Sequence, residues 1–93
     1  MSTDDERDAI EVEITDVIDL HSFQPRDIAD VARSYLDAAY EAGYRTVRII
    51  HGRGAGVQRS NVRALLKRDP RVREFDDADP SAGGRGATVV HLD

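Results

Sequence analysis

The spacing of apolar positions shifts along this chain between a period of two and a period of three to four, and each shift marks an element. Over residues 12–20 (Val-Glu-Ile-Thr-Asp-Val-Ile-Asp-Leu), Val12 and Ile14 alternate with polar residues, Val17 and Ile18 follow, and Leu20 closes the run. That pattern predicts a strand near 16–21, with Val12 and Ile14 in an extended lead-in that pairs at a sheet edge. Pro25 fits the first position of a helix, where its missing N–H costs nothing. Ile28, Val31, Ala32, Tyr35, Leu36 and Ala39 then fall on one helical stripe, and Gly43 supplies a left-handed stop. Thr46 to His51 read as a second strand, Gly52 to Gly56 as a loop, and Val57, Val62, Leu65 and Leu66 as a helix over 57–68 ended by Asp69-Pro70. A short strand follows at Val72 to Phe75, then an exposed, mobile loop from Asp76 to Gly86 containing Pro80 and three glycines, and a last strand from Ala87 to Leu92.

The order β-α-β-α-β-β places the chain in the α/β (α+β) class, as a two-layer sandwich of one four-stranded mixed sheet and two helices. A strand–helix–strand unit crosses over right-handed between parallel neighbours. Leu20-His21 and Ile50-His51 would then finish strands at the same sheet edge, where open α/β sheets favour ligands. The spacing therefore predicts that Asp19, His21, His51 and the glycine loop converge.

The stretch at 46–56, Thr-Val-Arg-Ile-Ile-His-Gly-Arg-Gly-Ala-Gly, concentrates the candidate chemistry. Strand, glycine-rich turn and helix together aim backbone N–H groups and a helix N-terminus at an anion, usually a phosphate. No Gly-Lys-Ser/Thr follows, so the loop is not a Walker A motif. Val57 stands where a dinucleotide fingerprint needs its third glycine.

Charge narrows the class of anion. The net charge is −5, but residues 1–42 carry twelve acids and three bases, 43–73 nine bases and one acid, and 74–93 five acids and one base. A basic segment centred on the glycine loop inside an acidic chain implies a two-faced molecule with an anionic partner. Arginine outnumbers lysine twelve to one, which suits bidentate phosphate contacts and would equally follow from GC-rich coding.

Ninety-three residues make one small domain, assigned to 12–93 after a disordered acidic segment at 1–11. The absence of cysteine excludes disulfides and zinc-thiolate sites and fits a reducing cytoplasm. No apolar run is long enough to span a membrane, and the acidic N-terminus is unlike a secretory signal.

Asp19-Leu20-His21 places two polar side chains on one strand face, where the carboxylate can fix the tautomer of the imidazole and stabilise its protonated form. His21 can then exchange a proton with a phosphodiester oxygen. His51 would supply a second imidazole, with Arg53 and the loop N–H groups holding the phosphate, and Arg59 and Arg63 making outer contacts. Two alternatives stay open: Asp19, His21 and His51 could hold a divalent metal ion that activates water, or His21 could be a hydrogen-bonded histidine at a strand end and Asp19 a cap or turn acceptor. His91 reads as structural or exposed. Most of the five aromatic residues fit the core, so no stacking platform for single strands is evident.

Asp-Leu-His at 19–21, His-Gly-Arg-Gly-Ala-Gly at 51–56 and Gly-Gly-Arg-Gly-Ala-Thr-Val-Val at 83–90 together resemble the small MutS-related (Smr) domain family over about 16–93. The resemblance implies a fold similar to the C-terminal domain of translation initiation factor 3, nucleic-acid binding, and in several members DNA-nicking or RNA-cleaving activity. It maps the acting residues onto Asp19 and His21, and binding or catalytic support onto His51, Gly52 and Gly54. Two positions depart from the family pattern. Ser22 replaces a common glycine, and Arg85 stands between the late glycines where many members have a large aromatic residue. Arg85 would add a phosphate contact or sit in solvent.

The reading is thus a nucleic-acid-binding domain that cleaves DNA or RNA with little sequence specificity. RNA is favoured, because two imidazoles can cleave through the 2′-hydroxyl without metal. The alternative is a non-catalytic adaptor on nucleic acid, the ribosome or a repair complex.

Overall fold

The computed structural model describes residues 14–54 and 56–93. The segment expected to be disordered at 1–11, and Val12 of the expected lead-in, lie outside the described residues. Four strands, β1 (Val17–Asp19), β2 (Thr46–Ile50), β3 (Val72–Asp77) and β4 (Ala87–Leu92), form one sheet in the order β1-β2-β4-β3. β1 runs parallel to β2, and β4 pairs antiparallel with both β2 and β3. Two helices, α1 (Ile28–Glu41) and α2 (Val57–Arg68), complete the second layer. The two-layer α+β architecture with a mixed sheet is the one the apolar pattern predicts.

The core explains why these segments adopt these forms. Ala32, Leu36 and Ala39 of α1 and Val62, Leu65 and Leu66 of α2 bury one helical face each. They meet the alternate strand residues Val47, Ile49, Val90 and Leu92 in one cluster. Both helices therefore cover the same face of the sheet. Tyr35 is buried, and its hydroxyl donates to the Thr15 carbonyl at 2.6 Å, which ties the lead-in to α1. Burial raises the Tyr35 phenol to about 12, so it remains a donor. α1 stops in a Schellman motif, with Tyr44 N bonded to Ala39 O and Gly43 N to Tyr40 O, both at 3.0 Å, and with Gly43 at φ +99°.

Three boundaries differ from expectation, each for a local reason. β1 is shorter than 16–21, because the chain turns after Leu20. Leu20 N still reaches Ile50 O at 2.7 Å, but Phe23 N bonds back to Leu20 O at 3.0 Å, so His21 sits in a turn and not on a strand. Pro25 opens a 3₁₀ turn (Pro25–Asp27), and α1 begins only at Ile28. The expected exposed loop at 76–86 is largely structured. β3 continues to Asp77, Ala78 is buried, and two 3₁₀ turns, Pro80–Ala82 and Gly84–Gly86, lead compactly into β4. These turns are held by Ala82 N and Gly84 N on Asp79 O, at 2.7 and 3.0 Å.

Candidate functional site

The C-terminal ends of β1 and β2 and the N-terminal end of β4 share one sheet edge. Asp19 lies opposite Ile50, and Ile50 opposite Ala87. His51 N and Gly52 N then both donate to Gly86 O, at 3.0 and 2.9 Å, so the chain leaves the ladder at His51 and opens into the glycine loop. Asp19, His21, the loop and the late glycines are thereby gathered within neighbouring strands, which lie about 4.8 Å apart.

Asp19 and His21 meet through the turn, not through strand alternation. Asp19 Oδ1 accepts the His21 backbone N–H at 3.0 Å and contacts the ring Nδ1 at 2.5 Å. The ring contact, and next the backbone N–H, hold the Asp19 carboxyl below its ordinary pKa against a small opposing effect of burial. A carboxylate can only accept, so Nδ1 carries the proton, and in the neutral ring Nε2 keeps the lone pair. The His21 side chain is 68 % exposed. The dyad thus presents a basic nitrogen outward, on a ring whose orientation is fixed.

His51 differs in every respect. It is buried; its Nδ1 lies 2.9 Å from Gly52 O, and its Nε2 lies 2.9 Å from Thr88 Oγ1. The carbonyl requires a proton on Nδ1, so the Thr88 hydroxyl donates to Nε2, while Arg63 Nη2 donates to that hydroxyl oxygen at 3.3 Å. Burial is the main cause that lowers the His51 pKa; the Gly52 carbonyl opposes it, and the Arg63 and Arg59 charges add to it. A neutral, doubly bonded imidazole organises the loop and has no free nitrogen for proton transfer. The two-imidazole scheme, and the preference for RNA drawn from it, therefore lose their basis. Nor do Asp19, His21 and His51 form a ligand set: among the described residues, no three His, Asp or Glu side chains cluster as a metal site would require.

Behind the loop, Arg53, Gly54, Gly56, Arg59 and Arg85 line a cleft of about 290 Å³. A smaller hollow of about 220 Å³ continues past Gly52 and His51 to Val57 and Gln58 at the start of α2. Gly56 precedes α2 at φ +85°, a conformation that leaves the helix N-terminus open. The late glycines are explained by close approach. A Cβ on Gly86 would stand 3.1 Å from Arg53 Cγ, and one on Gly84 would stand 3.2 Å from an Arg53 guanidinium nitrogen. The two glycine motifs are therefore halves of one bed on which Arg53 lies.

The basic segment is less free than its composition implies. Arg59 and Arg63 both bond Asp77 Oδ1, at 2.7 and 2.6 Å, and Arg63 also stacks over Phe75 with 5.3 Å to the ring centroid. Arg59, with help from Arg63 and Arg85, depresses the Asp77 pKa, so the carboxylate stays charged. Arg71 is spent on Asp69 and Asp37, and Arg45 on Tyr40. Arg53 and Arg85 pair with no carboxylate among the described residues. The cleft thus keeps an excess of positive charge, and Arg63 lies beneath it instead of making the outer contact expected.

Three partners were not singled out in the chain: Thr88 beneath His51, Asp77 beneath the arginines, and Arg48, which donates to Ala82 O at 2.8 Å and braces the late turn. Thr88 belongs to the third glycine motif and was within reach of the sequence. Asp77 sits at a strand end with no local signal. Two apolar hollows lie away from this edge, about 380 Å³ beside Leu65 and Pro70 and about 440 Å³ beside Ile14 and Val31. Neither has a glycine loop or a carboxylate–imidazole pair.

An exposed carboxylate–imidazole dyad beside an arginine-lined glycine cleft, on a β-α-β-α-β-β sandwich, defines the class, and the Smr domain family model matches residues 18–93. The chain belongs to that family. Among its relatives, Endonuclease MutS2 of Pediococcus pentosaceus is 48 % identical over 58 residues, 62 % of this chain and 7 % of that protein. Endonuclease MutS2 of Clostridium tetani is 39 % identical over 75 residues, 81 % of this chain and 10 % of that protein. The chain therefore spans a tenth or less of these relatives' length. The crystal structure of the Smr domain of Thermus thermophilus MutS2 superposes with a TM-score of 0.80 at 37 % identity, covering 85 % of this chain and 99 % of that one. YdaL, a stand-alone small MutS-related protein from Escherichia coli, gives 0.80 at 26 % identity over 91 % and 70 %. No helix among the described residues is long and apolar enough to cross a membrane.

Proposed function

We propose that this Smr domain binds nucleic acid and cleaves its phosphodiester backbone with little sequence specificity. One observation carries the reading: the Asp19–His21 dyad and the Arg53–Arg59–Arg85 cleft occupy the same sheet edge. The similarity to proteins named Endonuclease MutS2 supports the same chemistry.

In this mechanism the cleft arginines and the loop N–H groups hold the non-bridging phosphate oxygens and the charge that builds on them. His21 Nε2 takes the proton from the attacking hydroxyl, of a ribose or of water, as the new P–O bond forms and the old one breaks. Asp19 steadies the imidazolium, which gives the proton to the leaving oxygen. His51 keeps the loop in shape without touching the reacting atoms. Contacts made by arginine and backbone N–H groups address phosphate, not base edges, which accounts for weak sequence preference. The open dyad suits a long polymer, which itself covers the site.

The test is incubation of the protein and a His21→Ala variant with labelled RNA and with supercoiled plasmid, with and without chelator. Cleavage by the wild type and none by the variant is the expected result, and equal cleavage by both contradicts the assignment. Binding by the wild type without cleavage would identify an adaptor in place of a nuclease. Loss of cleavage with chelator would add a metal ion to the reaction.

A further inference from the structure

Two large apolar side chains stand exposed among the described residues, Phe23 at 42 % and Val57 at 59 %, and each lies within two residues of a candidate-site motif in the chain. Val57 opens α2 directly after the glycine loop and borders the smaller hollow beside His51. Phe23 follows His21 by two residues in the same turn, and its backbone N–H is fixed on Leu20 O at 3.0 Å. Tyr35 is buried, and Tyr40, Tyr44 and Phe75 pack against the core. Phe23 alone among the aromatic residues joins neither group, although a buried position would remove its ring from water. Its turn is also short: the next residues, Gln24 and Pro25, lead straight into a 3₁₀ turn. An exposed aromatic ring two residues from a proton-transfer group, at the sheet edge that carries the arginine-lined cleft, suits base stacking next to a backbone site.

We propose that Phe23 is a stacking platform for an unpaired nucleobase beside the phosphate held at the cleft, and that it makes the domain select single-stranded over fully paired nucleic acid. The proposal rests on the nucleic-acid reading above and deepens it. In a duplex both faces of an internal base are covered by its neighbours, so only an unpaired base can offer a face to Phe23. The π-face is common to ribo- and deoxyribonucleotides. The selection is therefore for strand state, not sugar.

The chain contains no tryptophan, so Phe23→Trp creates a single reporter. Because Phe23 is exposed and outside the core cluster, neither this variant nor Phe23→Ala threatens the fold. Binding of the full chain is measured to single-stranded RNA and DNA oligonucleotides, to duplexes of the same sequence, and to a strand carrying abasic positions. Phe23→Ala should lose roughly 5- to 150-fold in affinity for both single strands, the range spanned by stacking of one base. It should lose less than about 2-fold for duplex and for the abasic strand, and Phe23→Trp fluorescence should be quenched by single strands only. An equal loss on every nucleic acid, or a loss restricted to one sugar, would overturn stacking. So would unchanged affinity with no quenching, and that result would leave the nucleic-acid reading standing. A wild-type protein that binds none of these ligands would overturn both.

Discussion

At the residue scale, the two histidines that look alike in the chain part ways. Asp-Leu-His and Ile-Ile-His both end apolar runs, and nothing local says that one ring is caught by Thr88, 37 residues further on. His21, two residues from its carboxylate, was legible as a dyad, although a turn and not a strand face makes the contact. The difference has a measurable consequence. Folding holds the His51 pKa below its ordinary 6.5, chiefly through burial, so the neutral form is the folded form. The unfolded chain then binds more protons just below pH 6.5, and stability is lost as pH falls from that value toward the depressed one. Urea unfolding at steps between pH 7.5 and 5 should show this decline, and a His51→Gln variant should lack that component. The carboxylates with depressed pKa values, Asp19, Asp69 and Asp77, add their own loss only at lower pH, as it falls from about their ordinary 3.8 toward the depressed values. Thr88→Val keeps the shape but removes the hydroxyl that joins His51 to Arg63. It should cost about 1–3 kcal/mol in the same unfolding measurement, because it leaves buried polar groups unpaired.

At the element scale, the helices and central strands were legible because each buries a periodic face, and Gly43 announced its own stop. The stretch 76–86 was not. Proline and glycine spacing predicts an open loop, whereas Asp79 O, Ala82 O and Gly86 O organise it through long-range and turn hydrogen bonds that leave no periodic mark. Gly84 and Gly86 serve a tertiary purpose, since they make room for Arg53. This separates two glycine substitutions. Gly43→Ala meets nothing within 4 Å, so only the positive φ opposes it. It should cost about 1 kcal/mol of stability with nucleic-acid affinity unchanged. Gly86→Ala crowds Arg53 and should weaken nucleic-acid binding several-fold in a filter-binding or anisotropy titration.

At the scale of the whole molecule, the segmental charge pattern pointed to the edge that carries the arginine-lined cleft but overstated the number of free cations. Arg45, Arg63 and Arg71 are spent inside the fold, and the cleft rests on Arg53 and Arg85, with Arg59, which also holds Asp77, as its third cation. Three phosphate contacts to a single strand imply a slope of about −2 in log K against log salt concentration, and Arg85→Ala should reduce its magnitude by about 0.7. The central claim is a division of labour, in which the cleft holds the backbone and the dyad moves the proton. It is tested most directly by measuring affinity and the cleavage rate at saturating nucleic acid for His21→Ala and Arg53→Ala side by side. His21→Ala should bind within about 2-fold of wild type and cleave 10²- to 10⁴-fold more slowly. Arg53→Ala should bind more weakly and lose less rate at saturation than His21→Ala. Both variants losing affinity and rate in the same proportion, or His21→Ala cleaving at the wild-type rate, would contradict the account.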